Sequence, residues 1–193
     1  MIVIWLLPGV IACSSLRPSK SQEIEGLPGG FKYSEGTSSV TEMHQVAADH
    51  LSHSEFAEAE AVYRQIIEIE PDNHNGYVGL GSSLFYQNKL TEAQDAYSKA
   101  LELSPESAMA LIGLGSVAHR NENYEAAIDY YSQALETNDQ LADAHWGLAI
   151  ALEDAGRIEE AIEHFNQVLQ LAPDSQIAEY ANAKLADLKP QAQ

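Results

Sequence analysis

The chain has 193 residues, 45% hydrophobic and 8% aromatic, with 29 acidic against 10 basic side chains and a single Cys. That length is enough for one domain with a real core. A formal charge of −19 excludes a binder of the nucleic-acid backbone, whose affinity rests on Lys and Arg, and one Cys excludes an intramolecular disulfide framework or a Cys-based zinc ribbon.

In chain order, the first element is an apolar run from Ile2 to Ala12. It is too short to span a bilayer, which takes about 20 helical residues, and suits the hydrophobic region of a secretory signal. It closes in Val10-Ile11-Ala12-Cys13 followed by Ser14-Ser15, which resembles a bacterial lipobox, although Met1-Ile2-Val3 carries no Lys or Arg. The resemblance implies a signal peptide over 1–12, lipidation of Cys13 after cleavage, and an anchor in the cell envelope. Ser14 rather than Asp after the Cys implies sorting to the outer membrane, facing the periplasm.

Residues 14–39 hold three basic groups (Arg17, Lys20, Lys32) and three acidic ones (Glu23, Glu25, Glu35), so they are neutral. That leaves 7 basic and 26 acidic side chains for 40–193, the whole of the net charge. With Pro18, Pro28, Gly29 and Gly30, the stretch from Cys13 to 39 reads as a flexible linker and 40 onward as the folded domain.

The domain repeats itself. Ala59, Ala93, Ala127 and Ala161 stand at equal intervals, a period of about 34 residues, each followed four positions on by an aromatic (Tyr63, Tyr97, Tyr131, Phe165). Val46, Leu80, Leu114 and Leu148 keep the same period, each followed by a small residue (Ala47, Gly81, Gly115, Ala149). Pro71, Pro105 and Pro173 close three units, with Asp139 in the third. These columns resemble the tetratricopeptide repeat, with units at 40–73, 74–107, 108–141 and 142–175. The resemblance implies an all-α, right-handed superhelical solenoid of helix-turn-helix units. Helical spacing on both sides of turns such as Asn88-Lys89 and Ala155-Gly156 agrees with that architecture. The small residue lets the two helices of a unit approach, the aromatic fills the space between them, and the proline stops the second helix.

A last helical pattern spans 176–189, with Ile177, Tyr180, Ala181, Leu185 and Leu188 on one face and Pro190 after it. It reads as a capping helix over the last repeat, leaving a short tail at 190–193.

No catalytic constellation emerges: there is no phosphate loop, nucleophile elbow or His-Glu-x-x-His motif, and no cofactor is implied. Glu153-Asp154 and Glu159-Glu160 are adjacent pairs that diverge on a helix, as solvated charges do. His44, His50 and His53 form the best metal candidate, but spacing fixes no further ligand, so packing or capping is the reading for them. His119, His145 and His164 fall in three different columns.

Function then rests on the concave surface of the stack. In tetratricopeptide arrays the first helices line a groove for peptides, and the resemblance places Val78, Ile112 and Trp146 there at the fifth position of each unit. It adds Ser82, Ser116 and Ile150 at the ninth, and Phe85-Tyr86, His119-Arg120 and Glu153-Asp154 at the twelfth and thirteenth. The Lys and Asn residues of the carboxylate clamp are missing, which argues against an acidic C-terminal peptide. An apolar ladder with acidic neighbours points to a protein or peptide partner with apolar and basic residues. The expected function is a non-enzymatic, lipid-anchored adaptor, with pilus or cell-wall assembly as fold-level analogies and a cytoplasmic regulatory or co-chaperone module as the alternative.

Overall fold

The computed structural model describes residues 39–188; the signal segment, Cys13, the linker up to 38 and the tail from 189 lie outside the described residues. Among the described residues there are nine α-helices and no strand. The first helices of successive units are α1 (Val40–Ser52), α3 (His74–Tyr86), α5 (Ala108–Arg120) and α7 (Ala142–Asp154), followed by α9 (Gln176–Leu188). The second helices are α2 (Phe56–Ile69), α4 (Leu90–Leu103), α6 (Tyr124–Thr137) and α8 (Ile158–Leu171).

Each turn between a first and a second helix is built alike. Ser54, Asn88, Glu122 and Gly156 all take positive φ, between 60° and 79°. The next residue donates its backbone N–H to a carbonyl five residues back: Glu55 to His50, Lys89 to Leu84, Asn123 to Ala118 and Arg157 to Leu152, at 2.8–2.9 Å. This is a left-handed C-terminal cap that satisfies carbonyls the helix end would otherwise leave orphaned. The second helices end at 69, 103, 137 and 171 whether a proline follows or not, since α6 stops at Thr137 with Asp139 in the proline's place. The stop therefore does not depend on the proline.

First helices pack against their successors along the array (α1 on α3, α3 on α5, α5 on α7, α7 on α9), whereas the second helices meet only first helices. Such an arrangement must curve, with the first helices on the inner face. The core runs the length of the array through the alanine column, where Ala59, Ala93, Ala127 and Ala161 are wholly buried.

Aromatic rings lock one unit to the next. A Cβ on Gly81 or on Gly113 would strike the ring of Tyr97, and one on Gly115 or on Gly147 would strike the ring of Tyr131. Each ring thus lies between a glycine of its own unit and a glycine of the following one. Sequence reasoning assigned the first contact only in part, as closeness to the alanine column. The second glycine column, Gly79, Gly113 and Gly147, meets the tyrosine of the preceding unit.

Both ends are finished by polar substitution. Columns that face a preceding unit are small or apolar and buried in the interior, as at Ala110, Val117, Ala144 and Ala151, but hold exposed Glu42, Gln45 and Asp49 in α1. α9 keeps those columns buried, as Ala178, Ala181 and Leu185, and closes over Phe165 and Val168 in one core cluster. Its other columns carry exposed Glu179, Asn182 and Ala186 where earlier first helices bury Leu111, Leu114 and Leu152. Tyr180 corrects the sequence reading of this helix. It is 53% exposed and stands off the buried face.

Candidate functional site

The inner face carries a groove of about 590 Å³ across α3, α5 and α7. Nine of the residues singled out from sequence line it: Ser82, Phe85 and Tyr86 from α3, Ile112, Ser116, His119 and Arg120 from α5, and Trp146 and Ile150 from α7. Their periodicity explains the convergence, because residues one period apart lie on equivalent helices whose first members touch. Val78, Glu153 and Asp154 are not among the lining residues. Val78 packs on the core cluster around Leu84 and Tyr97. Glu153 accepts from Lys184 Nζ at 2.8 Å, and Asp154 Oδ2 lies 2.7 Å from His119 Nε2, so both acids bridge to a neighbouring helix. The Lys184 pair and the His119 pair tie α7 to α9 and to α5.

Sequence reasoning missed Met109, Asp143, Gly113, Gly147 and the tyrosines Tyr97 and Tyr131, all of which line the groove. The tyrosines belong to second helices and reach the inner face because glycines let their rings pass between first helices. Ring position alone, counted by the repeat, could have suggested it; the glycine two residues before each small-residue column was the signal.

Trp146 is half-buried, with its ring 5.5 Å from Phe165 and 6.2 Å from Tyr180. It packs against the core on one side and borders the groove on the other. Tyr180 stands one repeat period after Trp146 and extends the row of Ile112 and Trp146 by one step onto α9. Tyr86 and Met109, 62% and 59% exposed, add apolar surface at the opposite part of the groove. Arg120 lies over the Phe85 ring at 5.1 Å, a cation–π contact at the rim.

The floor is polar at two points. Tyr97 Oη donates to Ser82 Oγ at 3.1 Å, and Tyr131 Oη lies 3.0 Å from Ser116 Oγ. Burial pushes the Tyr97 phenol up to about 12 and raises that of Tyr131 as well, so both are neutral at ordinary pH.

The histidines do not assemble into a metal centre. His50 Nδ1 lies 2.6 Å from Glu55, His53 Nδ1 lies 2.9 Å from the Asp49 carbonyl, and His44 packs its ring edgewise to Tyr63. Among the described residues no group of three or more His, Cys, Asp or Glu is placed to hold a metal ion. His145 and His164, which sequence left in separate columns, come together: their Nδ1 atoms are 2.9 Å apart, and His145 Nε2 is 3.1 Å from the Asp139 carbonyl. That carbonyl fixes the proton of His145 on Nε2, so His164 Nδ1 donates.

Two family profiles, both described as tetratricopeptide repeat, match residues 78–142 and 118–186. No curated protein matches the chain. Among solved structures it is similar to TTC0263, a thermophilic TPR protein of Thermus thermophilus (TM-score 0.71, 18% identity, covering 77% of this chain and 82% of that one). It is also similar to pilF of Pseudomonas aeruginosa (TM-score 0.72, 19% identity, 79% and 68% covered). A third is the first TPR of Spaghetti (RPAP3) bound to the HSP90 peptide SRMEEVD (TM-score 0.58, 22% identity, 62% and 94% covered). With the profiles together spanning 78–186 and the helix pairs repeating at one constant interval, the chain belongs to the tetratricopeptide repeat family.

Proposed function

We propose that the protein is a non-enzymatic scaffold that holds a segment of a partner protein in its concave groove. The observation that carries this reading is the half-buried Trp146 bordering a groove together with Ile112 and Ile150, while exposed Tyr180 and Tyr86 extend the apolar surface. Large aromatics partly seated in a core and partly presented to a groove are the usual anchors of binding energy. Peptide binding by the RPAP3 repeats in their solved complex supports a peptide-sized ligand. That peptide is acidic at its C-terminal end. Here the clamp residues for such an end are missing, and the excess of 26 acidic over 7 basic side chains in 40–193 favours a basic partner.

The lipobox-like Val10-Ile11-Ala12-Cys13 supports a setting at the bacterial envelope, with Cys13 lipidated and the repeats on the periplasmic side, where envelope assemblies such as a pilus or the cell-wall machinery are built. Two variants test the two halves. Cys13→Ala is expected to release the protein from the membrane fraction or block its processing. Unchanged fractionation without incorporation of labelled fatty acid favours the cytoplasmic adaptor instead. Trp146→Ala is expected to abolish capture of the partner while the fold persists, and full capture would refute the groove.

A further inference from the structure

The floor of the groove has a hydrogen-bonding polarity of its own. Ser82 Oγ donates to the Val78 carbonyl at 3.1 Å, and Ser116 Oγ donates to the Ile112 carbonyl at 2.9 Å. A serine has one hydroxyl proton, so each is committed to its own helix. The tyrosine hydroxyls beside them, Tyr97 and Tyr131, must then donate to the serine oxygens. Each phenol proton is committed too, and only oxygen lone pairs remain for whatever enters the groove. Both residues line the groove although their rings are otherwise buried, 4% and 5% exposed.

The feature occurs in the second and third units. One unit further on, Ile150 and Phe165 stand in the two columns and the floor becomes apolar; one unit earlier, Ala48 and Tyr63 stand there, without a serine hydroxyl. The groove is therefore polarised along its length, with acceptors from Tyr97 to Tyr131 and an apolar end at Ile150, Trp146 and Tyr180.

We propose that the groove selects an extended peptide segment of a partner protein, which donates backbone or side-chain N–H groups to Tyr97 and Tyr131 and seats an apolar side chain at the Trp146 end. This rests on the groove being the binding surface. A helical ligand has only side-chain donors to offer the floor, because its backbone N–H groups are bonded internally, whereas an extended segment offers both. A carboxylate-rich segment would set acceptor against acceptor at the floor; of the charged groups on the lining, Arg120 stands over Phe85 and exposed Asp143 lies on the Trp146 helix. A Lys or Arg next to the apolar anchor satisfies both the floor and the charge of the array.

The probe is the tightest binder from a displayed library of random twelve-residue peptides, synthesised with its native backbone and with single amide N–H groups replaced by ester oxygen. Tyr131→Phe and Tyr97→Phe keep the rings between their glycines and remove the phenol oxygen, together with its bond to the serine, which the matched ester series separates from the bond to the ligand. Each is expected to weaken binding by roughly 2- to 10-fold, the range for one neutral hydrogen bond. One ester position should cost about as much on the wild type and nothing further on the matching Phe variant. Ser116→Ala frees the Tyr131 proton and should relax the preference for donors at that position. If both Phe variants and every ester bind like wild type while Trp146→Ala, folded by its helical signal and melting transition, abolishes binding, the acceptor floor is wrong and the groove stands. If Trp146→Ala also binds normally, or the library yields no binder, both readings fall. Selection of acidic peptides overturns the floor alone.

Discussion

The ring of Tyr97 lies between Gly81 of its own unit and Gly113 of the next, so one side chain closes two interfaces. Gly113→Ala places a methyl inside that ring, and the ring, bounded by a helix on its other side, has nowhere to go. We expect destabilisation of about 1–3 kcal/mol, the range for overpacking, read as a lower melting temperature. Gly156→Ala meets no atom within 4 Å and differs in kind: its cost comes from the left-handed backbone at φ 79°. A melting temperature unchanged by Gly113→Ala would show that the units can spread without penalty.

Glu122 holds the same left-handed turn position as Gly156, with φ 60° and an exposed side chain. A non-glycine residue there costs about 1–2 kcal/mol. Glu122→Gly is expected to raise stability by roughly 1 kcal/mol, part of the gain being offset by glycine's larger unfolded-state entropy. Thermal melts of the two proteins decide it, and a lower value for the variant would contradict the turn assignment.

Stability should fall in mild acid through His164. Burial, and after it the neighbouring His145, lower its pKa below the usual 6.5. The unfolded chain then binds a proton more readily than the folded one, so stability present above about 6.5 is lost as pH falls through the folded value. His53 is shifted upward, by its bond to the Asp49 carbonyl and then by the Asp49 charge, and works in the opposite sense from a fully exposed position. Melting temperatures of the wild type and His164→Gln between pH 7.5 and 5 should converge as pH falls. Parallel curves would remove His164 from the account.

Leu185 is 3% exposed and shares a cluster with Phe165 and Val168. Leu185→Ala is expected to cost about 2–5 kcal/mol, and ending the chain at Ser175 should uncover Phe165 and promote association. A shortened chain that stays monomeric with its melting temperature intact would mean that α9 is dispensable.

The repeating columns revealed the helix pairs because each residue type has one local reason to recur: alanine for close approach, aromatic for filling, leucine for burial. They did not reveal partners across units. Gly113 repeats with Gly79 and Gly147, which signals a close approach, but the spacing does not name Tyr97 of the preceding unit as what approaches. Tyr180 was grouped with Ala181 and Leu185 by helical angle, although its distance from Trp146 placed it on the ladder. Helical angle identifies a face and the repeat period identifies equivalent positions, which placed Tyr180 beside Trp146 but also placed Val78 on a ladder that it leaves for the core. His145 and His164 meet for the same reason: two columns that are unrelated in sequence are adjacent across α7 and α8.

The exposed acids and amides at the two ends of the array bear on how separate molecules behave. A stack whose last face matched its first would add copies head to tail without closure, and such contacts build open filaments. With Glu42, Gln45 and Asp49 at one terminus and Glu179 and Asn182 at the other, joining two chains would bury carboxylates and amides with no partner to meet them. An extra copy of 74–107 spliced between existing units would meet glycine with tyrosine, whereas the same segment offered end-on by another molecule would meet exposed carboxylates and amides. The two ends thus differ in kind from the seams between units, which bury glycine against tyrosine.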